Sequence, residues 1–422
     1  MKKVLIVARY FGTRVPGLMK YLPGFGWQPV LLAPFPLPDA NLSSKYQIIS
    51  TPYRDALYFW KRLFRMDQNV DFRSEVKQRA GITSKNTVID SLLTLGGAIV
   101  NYPDSDKGWR RFAVAAGFEL LHKDKFDAII SSSSPVTAHV IACELKKRAK
   151  VPWLADLRDP WSQNHNYSYG PVRRWFDKWL ELKTLGVADS LVTVSQPWAN
   201  NLKTLHRGKT SYAVTNGFDP DQINNPPVAL TEKMSISYTG LVYKGKQDPA
   251  RLFEAVKTLI DEKTIDPEKI ELRFYGLTGG WLDEEIKSFH LQDIVKIYGN
   301  VSRDMAIQAQ RESHILLLLN WDNPKEKGTI PSKVFEYMAT LRPVLAIGGA
   351  EDDAIQQILT ETKAGYHSNS VIEIKYWLRQ RYSEFIASGE VAAIGNPDAI
   401  ASYSQREMAR KFADILEQLT NR

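Results

Sequence analysis

The sequence predicts an α/β protein built from two parallel-sheet domains in series. Three observations lead to this fold class. The chain has 422 residues, more than one ordinary hydrophobic core usually accommodates. Short apolar runs of β-type residues alternate with helical patterns along its length, as in parallel sheets whose strands are joined by helices. The alternation pauses once, at a turn-rich stretch near the middle, and then restarts. We therefore expect two Rossmann-like domains that face a central cleft.

The first domain is predicted to cover residues 1–218, with an insertion at 53–112 that interrupts the alternation. Its predicted strands are 4–8, 28–32, 126–131, 152–156, 190–195 and 212–215. Its predicted helices are 136–149, 171–188 and 197–205. These helices supply the crossovers that parallel neighbours require.

The domain boundary is marked by turn-forming residues at 216–221 and 224–227, which predict a linker at 219–230. The second domain is predicted over 231–398. Its predicted strands are 235–239, 271–275, 295–298, 315–319 and 343–347. Its predicted helices are 249–261, 303–311, 331–340 and 352–360. Residues 399–422 carry two further helical patterns, broken near Tyr403.

Composition indicates a folded protein, with 44% hydrophobic and 24% charged residues. The first strand begins almost at the N-terminus, and no apolar run approaches the roughly 20 residues of a membrane span, so we expect a cytoplasmic protein. The net charge is +8 overall, but +12 over residues 1–225 and −4 over the remainder. This asymmetry predicts that the first half faces something anionic, such as a phospholipid surface, a phosphorylated acceptor or a nucleic acid.

Residues 55–66 have the pattern of a basic amphipathic helix. Trp60, Leu63 and Phe64 share its apolar face, and three basic residues lie elsewhere on it. Such a helix can lie in a bilayer interface, which would make the protein peripheral on the inner face of the membrane. It can equally pack onto its own domain, and the sequence leaves both interpretations open.

Three residues of the first half are candidates for chemistry. Gly12 follows the first strand, where glycine lets the backbone approach a ligand, although the loop matches neither a dinucleotide fingerprint nor a P-loop. Asp159 belongs to the run 156–161, in which two carboxylates and a guanidinium follow an apolar strand. The run can act as a base or orient hydroxyls, or it can form an internal ion pair. His139 lies early in a helix at the same predicted sheet edge.

No metal site is predicted. Two Asp-x-Asp pairs, at 104–106 and 219–221, could in principle hold a divalent ion, but neither ends an apolar strand. Both have the pattern of solvated turn residues. The single cysteine, Cys143, excludes a cysteine-rich site.

The strongest feature of the second half is the stretch 328–339, where a glycine-bearing loop enters a helix with Pro331 near its first position. The free N–H groups of a helix start attract an anion, and Lys333 adds a positive charge within the first turn. Glu336 lies on the same face, where it can reach a sugar beside a bound phosphate. The alternative is that Glu336 only caps the helix.

Together these residues resemble the bacterial GT-B glycosyltransferases of the retaining "group 1", or family-four-like, type over essentially the whole chain. The matching motifs, in order, are the glycine loop after the first strand, 156–161, 188–195, 216–219, 238–240 and 331–339. The resemblance implies the two-domain GT-B fold, with the last helix crossing back to the first domain. The order and spacing of the motifs carry it, rather than any single one.

The resemblance also implies where substrates bind. A nucleotide-sugar donor, by the family's habit a UDP-sugar, would bind the second domain without a metal or other cofactor, and the acceptor would meet the first. Lys333 and one of Lys244 and Lys246 would hold the diphosphate and stabilise the leaving group. Glu336 would accept hydrogen bonds from the ribose. The residues expected to border the donor are Gly240, Trp321, Thr329, Ile330 and Ser332.

One position departs from the family pattern. The family has two glutamates separated by seven residues, and the first of them lies near the donor sugar. Gly328 stands at that position in this chain, and Glu326 lies nearby in a different register.

The predicted function is metal-independent transfer of a sugar from a nucleotide-sugar to a glycan or lipid-linked acceptor in cell-surface polysaccharide biosynthesis. The catalytic candidates are Asp159, His139 and Lys333. One alternative is a nucleotide-sugar epimerase of the same fold, which would convert the donor without an acceptor. A nucleic-acid-binding protein would fit the pI of about 9.2. However, the positive charge is spread over an α/β domain with no recognisable binding motif, so no nucleic-acid partner is predicted.

Overall fold

A computed structural model describes residues 1–10, 12–37, 42–54, 100–164, 167, 169–222, 228–323 and 326–421. The chain forms two compact units, Met1–Val214 with Ala409–Arg422, and Thr215–Met408. The amphipathic helix predicted at 55–66 lies outside the described residues. No helix in the described ranges is long and apolar enough to cross a membrane.

The first unit contains a seven-stranded sheet in the order β3-β2-β1-β4-β5-β6-β7, in which all neighbours are parallel. Its strands are β1 (Lys2–Val7), β2 (Trp27–Pro34), β3 (Ile48–Thr51), β4 (Ala128–Ser133), β5 (Trp153–Leu157), β6 (Ser190–Thr193) and β7 (Thr210–Ala213). Its helices up to residue 214 are α1 (Arg14–Tyr21), α2 (Leu42–Lys45), α3 (Arg110–Lys123), α4 (Thr137–Ala149), α5 (Pro171–Leu185) and α6 (Gln196–Leu205).

The second unit contains a six-stranded parallel sheet in the order β10-β9-β8-β11-β12-β13. Its strands are β8 (Met234–Thr239), β9 (Ile270–Tyr275), β10 (Val295–Gly299), β11 (Ile315–Leu319), β12 (Val344–Ile347) and β13 (Gly365–His367). Its helices are α7 (Ala250–Asp261), α8 (Trp281–Ser288), α9 (Arg303–Glu312), α10 (Lys333–Ala339), α11 (Ala354–Thr362), α12 (Val371–Ser388) and α13 (Pro397–Ala401).

The last helix, α14 (Gln405–Thr420), returns to the first unit from Ala409 onward. Within that unit the ring of Phe412 lies 4.9 Å from the guanidinium of Arg14. Near the end of the helix, Glu417 accepts a hydrogen bond from Lys2 at the start of β1. The predicted return of the C-terminal helix to the first domain is therefore confirmed.

The predicted α/β architecture is confirmed, and every predicted strand is present within a few residues of its predicted bounds. The strands β4, β5, β8 and β11 are buried at every position, as expected for parallel sheets covered on both faces. The sequence prediction missed the short strands β3 and β13 and several helices, including the 18-residue α12. The units divide at Val214, a few residues before the predicted linker.

Candidate functional site

In open parallel sheets, ligands bind beyond the carboxyl ends of the strands, at the point where the strand order reverses. This reversal lies between β1 and β4 in the first unit and between β8 and β11 in the second. Gly12 and His139 follow β1 and β4. Gly240 follows β8, and Lys333 and Glu336 follow β11. These five predicted site residues therefore lie at the two reversal points, whereas Asp159 follows the neighbouring strand β5.

Lys333 is the first residue of α10, and its ammonium lies over the end of β8. Its Nζ donates a hydrogen bond to Oη of Tyr238 at 2.8 Å and lies 4.1 Å from the centre of that ring. Burial lowers the pKa of Lys333 to about 8, and Glu336 partly opposes this effect. In the described part of the chain no carboxylate forms an ion pair with Lys333, because Glu336 pairs with Arg303 instead.

The backbone beside Lys333 depends on two glycines. Gly240 has φ +130°, and a Cβ there would lie 2.6 Å from Nζ of Lys333. Gly276, at the end of the neighbouring strand β9, has φ +138°, and its Cβ would lie 2.1 Å from the carbonyl oxygen of Gly240. Any other residue at either position would clash or adopt a strained backbone. Two adjacent strand ends thus carry no side chain, and the backbone next to the ammonium stays uncovered.

Glu336 lies one turn into α10 and faces a neighbouring helix. Its Oε1 accepts a hydrogen bond from Nη2 of Arg303 at 2.9 Å. The Glu336 side chain is 21% exposed and that of Arg303 is 60% exposed. The carboxylate takes a side-chain partner rather than capping its own helix. It lies at the surface of the site, where a ligand can replace or share the Arg303 contact.

The start of α10 is a weaker anion site than the sequence suggested. The helix has only seven residues, and the N–H groups of Val334 and Phe335 already donate to the carbonyls of Pro331 and Ser332. Ser332 is exposed, and its side chain makes no capping hydrogen bond. Most of the positive charge at this edge therefore comes from the ammonium of Lys333 rather than from the helix terminus.

The loop before α10 is held by Glu326. The backbone N–H of Thr329 donates to the Glu326 carbonyl at 2.8 Å, and the Thr329 hydroxyl donates to the Glu326 carboxylate at 2.7 Å. Glu326 is buried, and its other carboxylate oxygen has no hydrogen-bond partner among the described residues. Ile330 is also buried, in the apolar core beneath α10, so its side chain anchors the loop instead of facing a ligand.

The loop after β8 carries the other predicted basic residues. Lys244 and Lys246 are both exposed. Nζ of Lys246 lies 4.4 Å from the centre of the Trp321 ring, and Tyr243 contacts the same indole edge-on at 6.3 Å between ring centres. Because Trp321 follows β11, these contacts join the loops on both sides of the reversal point.

At the reversal point of the first unit, most charges are paired internally. Asp156 and Arg14 are completely buried, with Arg14 donating from Nε and Nη2 over 2.7–3.0 Å. The hydroxyl of Ser132 donates to the same carboxylate at 2.7 Å. The sequence left open whether the 156–161 run acts as a base or forms an internal ion pair. For Asp156 the structure shows the internal ion pair. Asp159, three residues later, is exposed.

A cavity of about 590 Å³ lies at this edge of the first sheet, and its lining includes Arg9, Tyr10 and Ser134. It also includes two carboxylates of the 104–106 pair. Asp104 accepts hydrogen bonds from the N–H and hydroxyl of Thr137, and Asp106 is buried and paired with Arg9 at 3.3 Å. The turn at 104–106 was predicted correctly, but its carboxylates are engaged with protein groups rather than solvated. Within the described residues, no cluster of three or more His, Cys, Asp or Glu could hold a metal ion.

His139 and Gly12 lie behind and beside this edge. His139 is completely buried, its Nδ1 lies 2.7 Å from the Ser131 hydroxyl, and its ring stacks on Trp161. Burial lowers the pKa of His139 to about 4, so the imidazole is neutral at pH 7. This environment favours a structural role for His139 over the predicted catalytic one. Gly12 has φ +67°, and a Cβ there would lie 3.3 Å from Nη1 of Arg158.

No protein-family model and no curated protein sequence matches the chain. Solved structures match over its whole length. HepE from Anabaena in complex with UDP has a TM-score of 0.64 at 13% identity, covering 99% of this chain and 100% of that one. A glycosyltransferase from Rickettsia africae has a TM-score of 0.59 at 16% identity, covering 99% and 98%. The chain has the GT-B fold.

A third GT-B match is the lipopolysaccharide outer core galactosyltransferase WaaB, with a TM-score of 0.58 at 13% identity, covering 99% of this chain and 100% of that one. Within this GT-B fold the sequence prediction missed three residues that shape the site, namely Tyr238, Gly276 and Arg303. Gly276 had a readable signal, because Phe-Tyr-Gly ends β9 much as Tyr-Thr-Gly ends β8. No sequence pattern indicated Arg303, because its partner Glu336 is 33 residues away.

Proposed function

We propose that this chain is a glycosyltransferase that moves a sugar from a UDP-sugar to a glycan or lipid-linked acceptor in cell-surface polysaccharide biosynthesis, without a metal ion. The observation that carries the proposal is the ammonium of Lys333, unpaired with any described carboxylate and set over glycine-bearing strand ends at the reversal point of the second sheet. An uncompensated cation beside open backbone suits a diphosphate.

The matching structures support a UDP-sugar as the donor. HepE was solved with UDP and with UDP-glucose, and WaaB is a galactosyltransferase of the lipopolysaccharide outer core. On this chain the diphosphate would lie against Lys333 and Gly240, and the exposed ammonium group of Lys244 or Lys246 would also contact it. Glu336 would accept hydrogen bonds from the ribose hydroxyls. Thr329 and Ser332 would border the donor from the loop before α10.

The protein's own cations would serve in place of a metal. As the glycosidic bond of the donor breaks, negative charge develops on the departing diphosphate, and Lys333 would stabilise it. The carboxylates most similar to a metal-binding pair, Asp104 and Asp106, are already bound to Thr137 and Arg9. We therefore propose that transfer continues in excess EDTA.

The acceptor would meet the first unit. The cavity of about 590 Å³ near Arg9 and Tyr10 is large enough for a sugar ring, and Asp159 is exposed on the loop after β5. Asp159 would orient or deprotonate the acceptor hydroxyl. A lipid-linked acceptor would also require the first unit to meet a bilayer.

Calorimetric titration of the full chain with UDP, GDP, ADP and dTDP tests the donor. UDP is expected to bind most tightly, and failure of all four to bind would overturn the donor site. Transfer is then measured as UDP release from UDP-glucose or UDP-galactose in the presence of lipid extracts, with and without EDTA. Conversion of the donor sugar in the absence of any acceptor would favour the epimerase instead.

A further inference from the structure

Helix α5 (Pro171–Leu185) exposes most of its large apolar side chains and buries its two carboxylates. A surface helix ordinarily buries an apolar stripe and exposes its charges. In α5 the completely buried positions include the carboxylates of Asp177 and Glu181, whereas Trp175 is 63% exposed and Trp179 is 50% exposed. The remaining exposed apolar residues of this helix are Val172, Phe176 and Leu182. At a spacing of three and four residues, these five side chains form one continuous apolar face.

The inward carboxylates explain the orientation of the helix. The Glu181 carboxylate accepts hydrogen bonds from the backbone N–H and the hydroxyl of Ser162 and lies 3.3 Å from Nε2 of His206. Asp177 is paired with Arg173 at 2.9 Å. The contacts of Glu181 with Ser162 and His206 hold this side of the helix against the interior of the first unit. The apolar face consequently points outward, and an exposed patch of this size marks an interaction surface.

The charges around the patch identify the kind of partner. The exposed charged residues of α5 are Arg174, Lys178 and Lys183, and both of its carboxylates are buried. Nζ of Lys183 lies 4.8 Å from the centre of the Trp179 ring. Tryptophan bordered by lysine and arginine is the composition of a surface that meets the interface of an anionic bilayer.

A second group of cations in the first unit lies by α3 and α4. Helix α4 contacts both α3 and α5. A cavity of about 610 Å³ on the α3–α4 side is lined by five cations and, among the described lining residues, a single carboxylate. The cations are Arg54, Lys107, Arg110, Arg111 and Arg148, and the carboxylate is Glu144.

We propose that the apolar face of α5, together with its flanking cations, docks the first unit onto an anionic phospholipid bilayer. Trp175, Phe176 and Trp179 enter the interface, and Arg174, Lys178 and Lys183 contact lipid headgroups. A second copy of the chain is a poorer occupant, because pairing two α5 faces would bring like charges together. This inference rests on the proposed function in one respect: docking would bring the enzyme to a lipid-linked acceptor.

Flotation of the full chain with vesicles tests the proposal, comparing phosphatidylcholine alone with a phosphatidylglycerol–phosphatidylcholine mixture. The wild type should float with the mixed vesicles and much less with the neutral ones, and salt should weaken the binding. The double variant Trp175→Ser/Trp179→Ser should lower the partition coefficient by about a hundredfold or more, since each large apolar side chain contributes at least about tenfold when buried. Changing Arg174, Lys178 and Lys183 to Gln should lower it roughly fivefold per charge at low salt.

The matched control is Ile372→Ser/Tyr376→Ser, which removes two apolar side chains of 79% and 67% exposure from α12 in the second unit. It should leave vesicle binding unchanged. UDP affinity and the unfolding temperature, measured on every variant, show that the variants are folded. Quenching of tryptophan fluorescence by brominated lipid should be strong in the wild type and reduced in Trp175→Ser/Trp179→Ser.

Absence of wild-type binding to mixed vesicles would overturn the proposal. Equal binding by Trp175→Ser/Trp179→Ser would overturn it too, because another surface would then carry the attachment. If the wild type is instead a dimer that this double variant converts to monomers, and vesicles do not bind, the occupant is a second copy. Vesicle binding without UDP binding would support the docking surface while contradicting the proposed function, so the two failures are distinguishable.

Discussion

The two strand-order reversal points have the same topology, but they differ in whether the buried cation is paired with a carboxylate. In the first unit, Arg14 and Asp156 neutralise each other in the buried interior. In the second unit, the ammonium of Lys333 contacts the ring and hydroxyl of Tyr238, and the nearest glutamate in its helix pairs with Arg303. In the first unit the cation is neutralised by a carboxylate within the fold, whereas in the second unit Lys333 can still pair with an anionic ligand. A charged residue at a sheet edge is therefore a candidate ligand contact only where the fold leaves it uncompensated.

The largest effect is expected from breaking the compensated pair. Asp156→Asn leaves the Arg14 guanidinium buried with a weaker partner, so it should destabilise the first unit by about 3–5 kcal/mol, as for other buried ion pairs. UDP affinity of the folded protein should not change, because the residue lies in the other unit. Denaturant unfolding monitored by tryptophan fluorescence measures the first quantity and calorimetry the second.

The control for this variant is Asp124→Asn, which removes the exposed Lys3–Asp124 pair of the same unit. It should have no measurable effect, since solvent screens exposed pairs. If Asp156→Asn is as stable as the wild type but inactive in transfer, Asp156 acts at the site and the contrast between the two edges fails.

The uncompensated cation should control turnover. Lys333→Ala removes the charge that we propose meets the departing diphosphate, so kcat should fall about 10²–10³-fold, the usual effect of deleting one electrostatic stabiliser. The Kd for UDP should also rise. Initial rates and calorimetry are the measurements, and Lys287→Ala, at an exposed position on α8, is the control. Unchanged kcat in Lys333→Ala would show that Lys333 is not the group facing the leaving diphosphate.

Strands that are short apolar runs, such as 315–319, could be predicted without knowledge of their neighbours, whereas the short edge strands β3 and β13 lack such a run. The pairing of charged residues could not be predicted from the sequence. Arg14 and Asp156 are 142 residues apart, and only the adjacency of the β1, β4 and β5 edges brings them together. The sequence could therefore place charges at strand ends without showing which of them were already neutralised.

The orientation of α5 illustrates the same limit. The helix itself was predictable at 171–188 from its pattern. Which face is buried depends on Ser162 and His206, the partners of Glu181, and both lie on other segments. Gly276 is different, because a glycine that directly follows an apolar strand can be recognised from the sequence alone.

A smaller effect is expected from Glu336, whose carboxylate in the second unit is compared with that of Asp159 in the first. Glu336→Gln keeps the shape but loses the charge, so the proposed hydrogen bonds to ribose should weaken by about 1.5–3 kcal/mol, or roughly ten- to a hundredfold in the UDP Kd. Asp159→Asn, in the first unit, should leave that Kd nearly unchanged while lowering the transfer rate. Calorimetry and initial rates separate the two. The reverse pattern would mean that the donor and acceptor units have been exchanged.

The smallest effect is a pH dependence that only the uncompensated edge should show. Burial lowers the pKa of Lys333 to about 8 in the free protein. A bound diphosphate favours the charged ammonium, so its pKa must rise on binding. UDP affinity should therefore be constant just below pH 8 and fall above it, by up to about tenfold per pH unit. The terminal phosphate has its second pKa near about 6 and does not titrate in this window.

Stability should move in the opposite direction over the same range. The folded pKa of Lys333 lies below its ordinary value of 10.5, so between about pH 8 and that value the unfolded chain binds more protons, and stability without ligand should rise with pH. Lys333→Met should abolish both trends, because it removes the titrating group and keeps the length of the side chain. UDP titrations and thermal unfolding across this range test the two trends together. If the decline in affinity persists in Lys333→Met, another group carries it, and the cation left uncompensated by the fold is not the one that binds the diphosphate.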